Sequence, residues 1–157
     1  MYLEEFKETD ASTLSISKLI TMIARGNTIY LNHHLEDLGI NASQLYLLFE
    51  ISHQKNVNQE KIASRCNINK GAVARSIKKL EEMNLVKREI DDENRRQNKV
   101  SLTPKGEKTL NDSADLLDKW EDEVFSNDTI DKKTLQEVLK EIAIKTMELN
   151  QKESKNG

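Results

Sequence analysis

A mostly α-helical fold interrupted by one short β-hairpin is predicted for this chain, on three observations. Helix breakers and aromatic strand formers are scarce: the 157 residues include one proline, five glycines and 4% aromatics, against 32% charged residues. Apolar residues recur at three- and four-residue spacing in the segments on either side of the middle. Between Leu85 and Thr103, by contrast, the apolar period drops to two. The length suits a single domain, 1–157, with a real core.

Each element has its own justification. Ser12 to about Asp37 reads as a long half-buried helix with Ile16, Leu19, Ile20, Ile23, Asn27 and Leu31 on one stripe, ended by Gly39. Ser43 is placed to cap a second helix whose inward residues are Leu45, Leu48, Phe49 and Ser52. A short third helix, "QEKIASRC", follows Asn58 as its cap and turns Ile62, Ala63 and Cys66 inward, with Asn67 at the following turn. The fourth runs from about Lys70 to Met83 behind Asn69, its stripe being Val73, Ile77 and Leu80, and Asn84 terminates it. Helices three and four, joined by "CNIN", form a helix-turn-helix.

"LVKREI" and "KVSLT" then make a hairpin around the charged tip "DDENRRQN". Thr103 and Pro104 open a fifth helix through about Phe125, with Leu110, Ala114, Leu117 and Val124 on its stripe and Trp120 nearby. Asp131 caps a sixth, with Leu135, Val138, Leu139, Ile142 and Leu149 facing inward. The polar tail "NQKESKNG" is expected to fray.

Charge is distributed unevenly. Lys55 to Lys108 holds 14 Lys/Arg against 8 Asp/Glu, a net of +6, while the rest carries −9, giving the overall −3. A basic middle between acidic arms suits a nucleic-acid-binding module on a separate scaffold. With the fourth helix's stripe turned in, Lys70, Gly71, Ala74, Arg75 and Lys78 turn out. Small residues there let backbone approach a groove, and Arg75 and Lys78 have the reach for phosphates or guanine edges. Arg95 and Arg96 at the hairpin tip suit a minor groove, whose negative potential attracts arginine. Pairing with Asp91, Asp92 and Glu93 in solvent is the plainer role for them.

From Asn58 to Gly106 the chain resembles the MarR-type winged helix-turn-helix transcriptional regulators. The matching elements are Ile62-Ala63, Val73, the wing entry Asn84-Leu85-Val86-Lys87-Arg88, the wing tip Asn94-Arg95-Arg96, and Leu102-Thr103 with Gly106. Two departures stand out. Asn94 replaces the usual wing Asp, and Gly71, Ala72 and Ala74 replace Ser and Thr common on the recognition helix.

The resemblance implies a winged helix-turn-helix lobe, 40–103, flanked by dimerisation helices at 10–37 and 104–152. It implies a homodimer reading double-stranded DNA at a pseudo-palindromic operator, its recognition helices about 34 Å apart. The DNA-binding candidates are Asn69, Lys70, Gly71, Ala72, Ala74, Arg75, Lys78, Arg95 and Arg96. It further implies a repressor released from DNA by a small ligand, a metal or an oxidant, and, for a lipophilic ligand, a crevice with Arg25, Tyr30, His34, Tyr46 and Phe49 as candidate lining.

Other classes have less support. No nucleophile–base pair, paired-carboxylate constellation, Gly-rich phosphate loop or zinc spacing is present, so the reading is of a non-enzyme with no cofactor and no metal. His33 and His34 point about 100° apart on a helix and do not easily share an ion. Cys66 reads as a structural thiol, and a single cysteine fits a reducing cytoplasm. No secretion signal or membrane span is expected. A sequence-tolerant architectural DNA-binding protein and a winged-helix protein-interaction module are the alternative functions.

Overall fold

The computed structural model describes residues 2–54, 56–66, 68–126 and 129–156. Among these residues, seven α-helices and three strands run in the order α1 (Tyr2–Lys7), α2 (Ile16–Leu35), α3 (Ala42–His53), β1 (Val57–Asn58), α4 (Gln59–Cys66), α5 (Lys70–Glu82), β2 (Val86–Ile90), β3 (Asn98–Leu102), α6 (Pro104–Val124) and α7 (Lys132–Asn156). The mostly helical fold with a small hairpin is as the sequence predicts. Two compact units divide the chain at Leu117–Asp118, and α6 begins in the first and ends in the second.

Local chemistry sets the boundaries. Ser15, not Ser12, starts α2, accepting the N–H of Lys18 at 3.2 Å. Gly39, at φ 69°, closes the 3₁₀ turn Glu36–Leu38 that follows. The cap of α3 is Asn41 rather than Ser43. Its side chain accepts the Gln44 N–H while the Gln44 side chain takes the Asn41 N–H, satisfying two otherwise orphaned donors. Asn84, at φ 60°, ends α5 in the left-handed region as predicted. Asn67 falls outside the described residues.

The core of the first unit gathers Leu31, Leu35, Leu45, Leu48, Ile51, Ile62, Val73, Ile77, Leu80, Leu85, Val86 and Val100. All three predicted stripe residues of α5 are therefore buried. Helix α3 buries Leu47 and Ile51 rather than the expected Ser52, because it is packed on more than one side; Ser52 is exposed. The sheet has the order β1-β3-β2, with Val86 opposite Leu102, Arg88 opposite Val100 and Ile90 opposite Asn98. Strand β1, which the sequence pattern does not announce, adds Val57 opposite Val100.

The apolar stripe of α2 is buried only at its C-terminal end, at Leu31 and Leu35. Ile16 and Ile23 are 71% and 58% exposed. The second unit differs more from expectation. Asp131 does cap α7, accepting the Thr134 N–H at 3.3 Å, but Val138, Leu139, Ile142 and Leu149 are exposed within the chain rather than turned inward. The polar tail is not frayed but helical to Asn156.

Candidate nucleic-acid interface

Helix α5 is anchored at both ends. Asn69 accepts the Gly71 N–H at 2.8 Å, satisfying a first-turn donor. At the other end the Lys105 ammonium donates to the Met83 carbonyl at 3.0 Å, meeting the negative pole of the helix. Thr103 also closes on this end. Its hydroxyl donates to the Asn84 carbonyl at 2.6 Å and accepts the Gly106 N–H at 3.0 Å, and its own N–H donates to the Leu85 carbonyl at 3.0 Å. Gly106 passes so near that a Cβ there would lie 1.9 Å from the Leu85 oxygen. The Leu-Thr-x-x-Gly run is thus a close-packed joint between the end of α5 and the start of α6.

A second tie fixes α5 to the hairpin. Arg88 on β2 donates through Nε to Glu81 on α5 at 2.7 Å and through Nη2 at 3.4 Å. That hydrogen bond holds the Glu81 carboxyl below its ordinary range and raises Arg88. Strand alternation alone places Arg88 but gives no sign of its partner.

On the outward side of α5, Lys70, Arg75 and Lys78 are exposed, while Gly71, Ala72 and Ala74 are half-buried. A Cβ on Gly71 would sit 3.4 Å from Arg75 Nη1, so the guanidinium lies back along the helix over the glycine. Lys70 is not free: its ammonium is 3.5 Å from Glu60 on α4.

The tip between β2 and β3 is built by its own polar groups. Asn94 N–H donates to the Asp91 carbonyl at 3.1 Å, Gln97 N–H to the Asn94 carbonyl at 2.9 Å, and Asp91 N–H to the Gln97 carbonyl at 3.0 Å. Asp91, 8% exposed, accepts the Glu93 N–H at 3.0 Å and pairs with Lys99 at 3.3 Å. Desolvation pushes its carboxyl up, but these donors together outweigh it and hold it below the ordinary range. Asn94 bonds the Arg96 backbone N–H at 3.2 Å, not the guanidinium.

Arg95 and Arg96 are exposed, and the solvent pairing with Asp91, Asp92 or Glu93 does not occur. Among the described residues no carboxylate pairs with Arg75, Lys78, Arg95 or Arg96.

The remaining candidates separate. Cys66 is part-buried, and burial together with the Glu50 carboxylate pushes its thiol up, the opposite of an activated sulfur. The ring of His34 lies 4.2 Å from that of Tyr30, and its Nδ1 is 2.9 Å from the Tyr30 carbonyl. His33 and His34 stand at 88°, and no metal-holding group of His, Cys, Asp or Glu occurs among the described residues. Tyr30 and Phe49 pack on the core, and the Tyr46 hydroxyl donates to Asn27 at 3.1 Å. A cleft of about 500 Å³ opens elsewhere, lined by Ser52, Gln54, Lys87, Ser101, Glu107 and Asn111; none of the five predicted lining residues takes part in it.

A helix-turn-helix joined through a rigid corner to a two-stranded wing defines the winged-helix class. The MarR family model matches residues 40–97 of the chain, from the start of α3 to the wing tip. It is 29% identical over 107 residues to the HTH-type transcriptional regulator BilQ of Clostridium symbiosum (strain WAL-14163), spanning 68% of this chain and 74% of that protein. A crystal structure of MarR superposes with a TM-score of 0.80 at 25% identity, covering 92% of this chain and 99% of the other. A mutant MarR from E. coli complexed with operator DNA shares the fold, with a TM-score of 0.76 at 24% identity over 85% of this chain and 99% of that one. The family is one of regulators, not enzymes. No helix among the described residues is long and apolar enough to cross a membrane.

Proposed function

We propose that this regulator binds double-stranded DNA as a homodimer, with α5 in the major groove and the wing tip in the neighbouring minor groove, at a pseudo-palindromic operator. It acts in the cytoplasm as a repressor released by a small-molecule effector, without cofactor or metal. Residues 40–103 serve as the DNA-binding lobe, and 10–37 with 104–152 as dimerisation helices.

The observation that carries this reading is the set of exposed cations with no carboxylate partner among the described residues: Arg75 and Lys78 on α5, Arg95 and Arg96 on the tip. Long basic side chains left unpaired on two elements held rigidly together suit a polyanion of fixed geometry. Asn69, Gly71, Ala72 and Ala74 supply the capped start and low relief that let the backbone approach. Lys70 joins the contact once its own pair is broken. A two-fold partner is supported by the apolar face of α7, where Val138, Leu139, Ile142 and Leu149 are each 39–58% exposed. Small residues at 71, 72 and 74 also favour a second reading, a sequence-tolerant architectural protein.

A footprint over the region upstream of its own gene tests the proposal, together with salt-titrated affinities for that fragment and for random DNA. Two symmetric protected half-sites and an affinity ratio of about 10³ or more support a specific regulator. A ratio near one selects the architectural reading. Absence of binding to any duplex leaves a protein-interaction module. Repeating the footprint with a panel of lipophilic anions examines effector release.

A further inference from the structure

Glu60, in the first turn of α4, stands where three elements meet. One carboxylate oxygen is 3.5 Å from the ammonium of Lys70, the first residue of α5. The other accepts a hydrogen bond from Gln97 Nε2 on the wing at 3.3 Å. The Glu60 N–H is itself taken by Asn58 Oδ1 at 2.7 Å, and the Asn58 amide donates to Gln97 Oε1. One acidic side chain therefore bridges the start of the recognition helix and the returning arm of the wing, the two elements that carry Lys70, Arg75, Lys78, Arg95 and Arg96.

A carboxylate is the wrong charge for a surface that meets phosphates. As a source of stability an exposed pair such as Glu60–Lys70 contributes little. Its effect on a polyanion is larger, because non-specific affinity comes almost entirely from cations that displace condensed counterions. While Glu60 holds Lys70, that cation is neutralised before DNA arrives. The same carboxylate keeps Gln97, and with it the wing, in register with α5, which matters to a fitted complex and not to a loose one.

We propose that Glu60 is a positioning residue and an electrostatic brake: it withholds Lys70 from phosphates in sequence-independent encounters and holds the wing in place for the fitted one. This rests on the DNA-binding function proposed above. Glu60→Gln keeps an oxygen for Gln97 but removes the charge. It is expected to bind random duplex about three- to tenfold more tightly near 0.1 M salt, with the log K against log [salt] slope steeper by about 0.9, the value for one additional neutralised phosphate. Lys70→Ala should then cost more in the Glu60→Gln background than in the wild type. Glu60→Ala, which also frees Gln97, should lower the ratio of operator to random affinity further than Glu60→Gln does.

Fluorescence anisotropy with a promoter fragment and a random duplex, each at four salt concentrations, reads all of these, and circular dichroism melts confirm folded variants. If the wild type binds and Arg75→Ala weakens it, yet Glu60→Gln leaves slope and affinity unchanged, the brake is overturned while DNA binding stands. If the wild type binds neither duplex, the function itself is overturned and the brake with it.

Discussion

Replacing Gly106 by Ala tests whether the corner between α5, the sheet and α6 is as rigid as its geometry implies. In an ordinary helix the change stabilises, since Ala is favoured over Gly by about 1 kcal/mol. Here the added Cβ would meet the Leu85 oxygen at 1.9 Å and its carbonyl carbon at 2.9 Å. The obstacle is backbone, so no rotamer change relieves it. Nor is Leu85 free to retreat: its side chain is 2% exposed, its N–H donates to the Leu80 carbonyl at 2.9 Å, and its oxygen accepts the Thr103 N–H at 3.0 Å.

Overpacking of this kind costs about 1–3 kcal/mol, and distorting one buried backbone hydrogen bond adds about 1–3. After the propensity gain, the net destabilisation is about 1–5 kcal/mol, a fall in Tm of about 2–20 °C for a chain of this length. Urea and thermal denaturation of Gly106→Ala measure it. Gly26→Ala is the control: Gly26 lies inside α2 with no atom within 4 Å of where its new methyl would stand, so it should gain up to about 1 kcal/mol. A Gly106→Ala protein as stable as the wild type would refute the account of the joint.

Three further outcomes are expected. Arg75→Ala and Lys78→Ala should each weaken DNA binding and flatten the salt slope by about 0.9 for each phosphate that goes unneutralised, measured by anisotropy; unchanged slopes in both would remove α5 from the groove. In the proposed homodimer, Ile142→Asp on the exposed face of α7 should shift the protein from dimer to monomer in light scattering without changing its helicity, because a carboxylate buried at that interface would be left unpaired. Glu81→Gln should lose part of its stability relative to wild type at neutral pH and converge with it in acid. The Arg88 hydrogen bond lowers the folded-state pKa of Glu81, so its stabilisation is present above the ordinary carboxylate value of about 4.3 and disappears as pH falls through the lower folded value. Both partners are part-exposed, so the difference should be about 0.5 kcal/mol and shrink with salt. Urea titrations from pH 3 to 7 would show a constant difference if the pair contributes nothing.

Much of the fold is legible in the sequence because its signals are local. Val73, Ile77 and Leu80 share one helical face by spacing alone, and Asn84 and Gly39 mark left-handed exits by residue type. The cap of α3 is legible too, since Asn41 and Gln44 have capping-box spacing; Ser43 competes for the role because hydroxyl caps are common, but it has no reciprocal partner three residues on. What cannot be read depends on the rest of the molecule. Strand β1 is two residues long, too short to display a period, and exists because β3 offers it a free edge. Leu47 and Ile51 escape notice because a helix enclosed on several sides has no polar face to define its stripe.

The site divides along the same line, and the division bears on how such a surface works. Spacing on α5 and composition at the tip are enough to mark Arg75, Lys78, Arg95 and Arg96 as outward cations, since a side chain's direction follows from backbone period. Whether an outward cation is available is a different question, decided by whatever lies across from it. Lys70 has the same sequence credentials as Lys78, yet Glu60, ten residues earlier on another helix, stands 3.5 Å from it. Arg88 has the same charge as Arg96, but Glu81 holds it to α5 as a strut. A charge count therefore overstates what the face presents to a polyanion, because some of its cations position the others. Availability, more than the number of basic residues, sets how steeply binding by this surface should depend on salt.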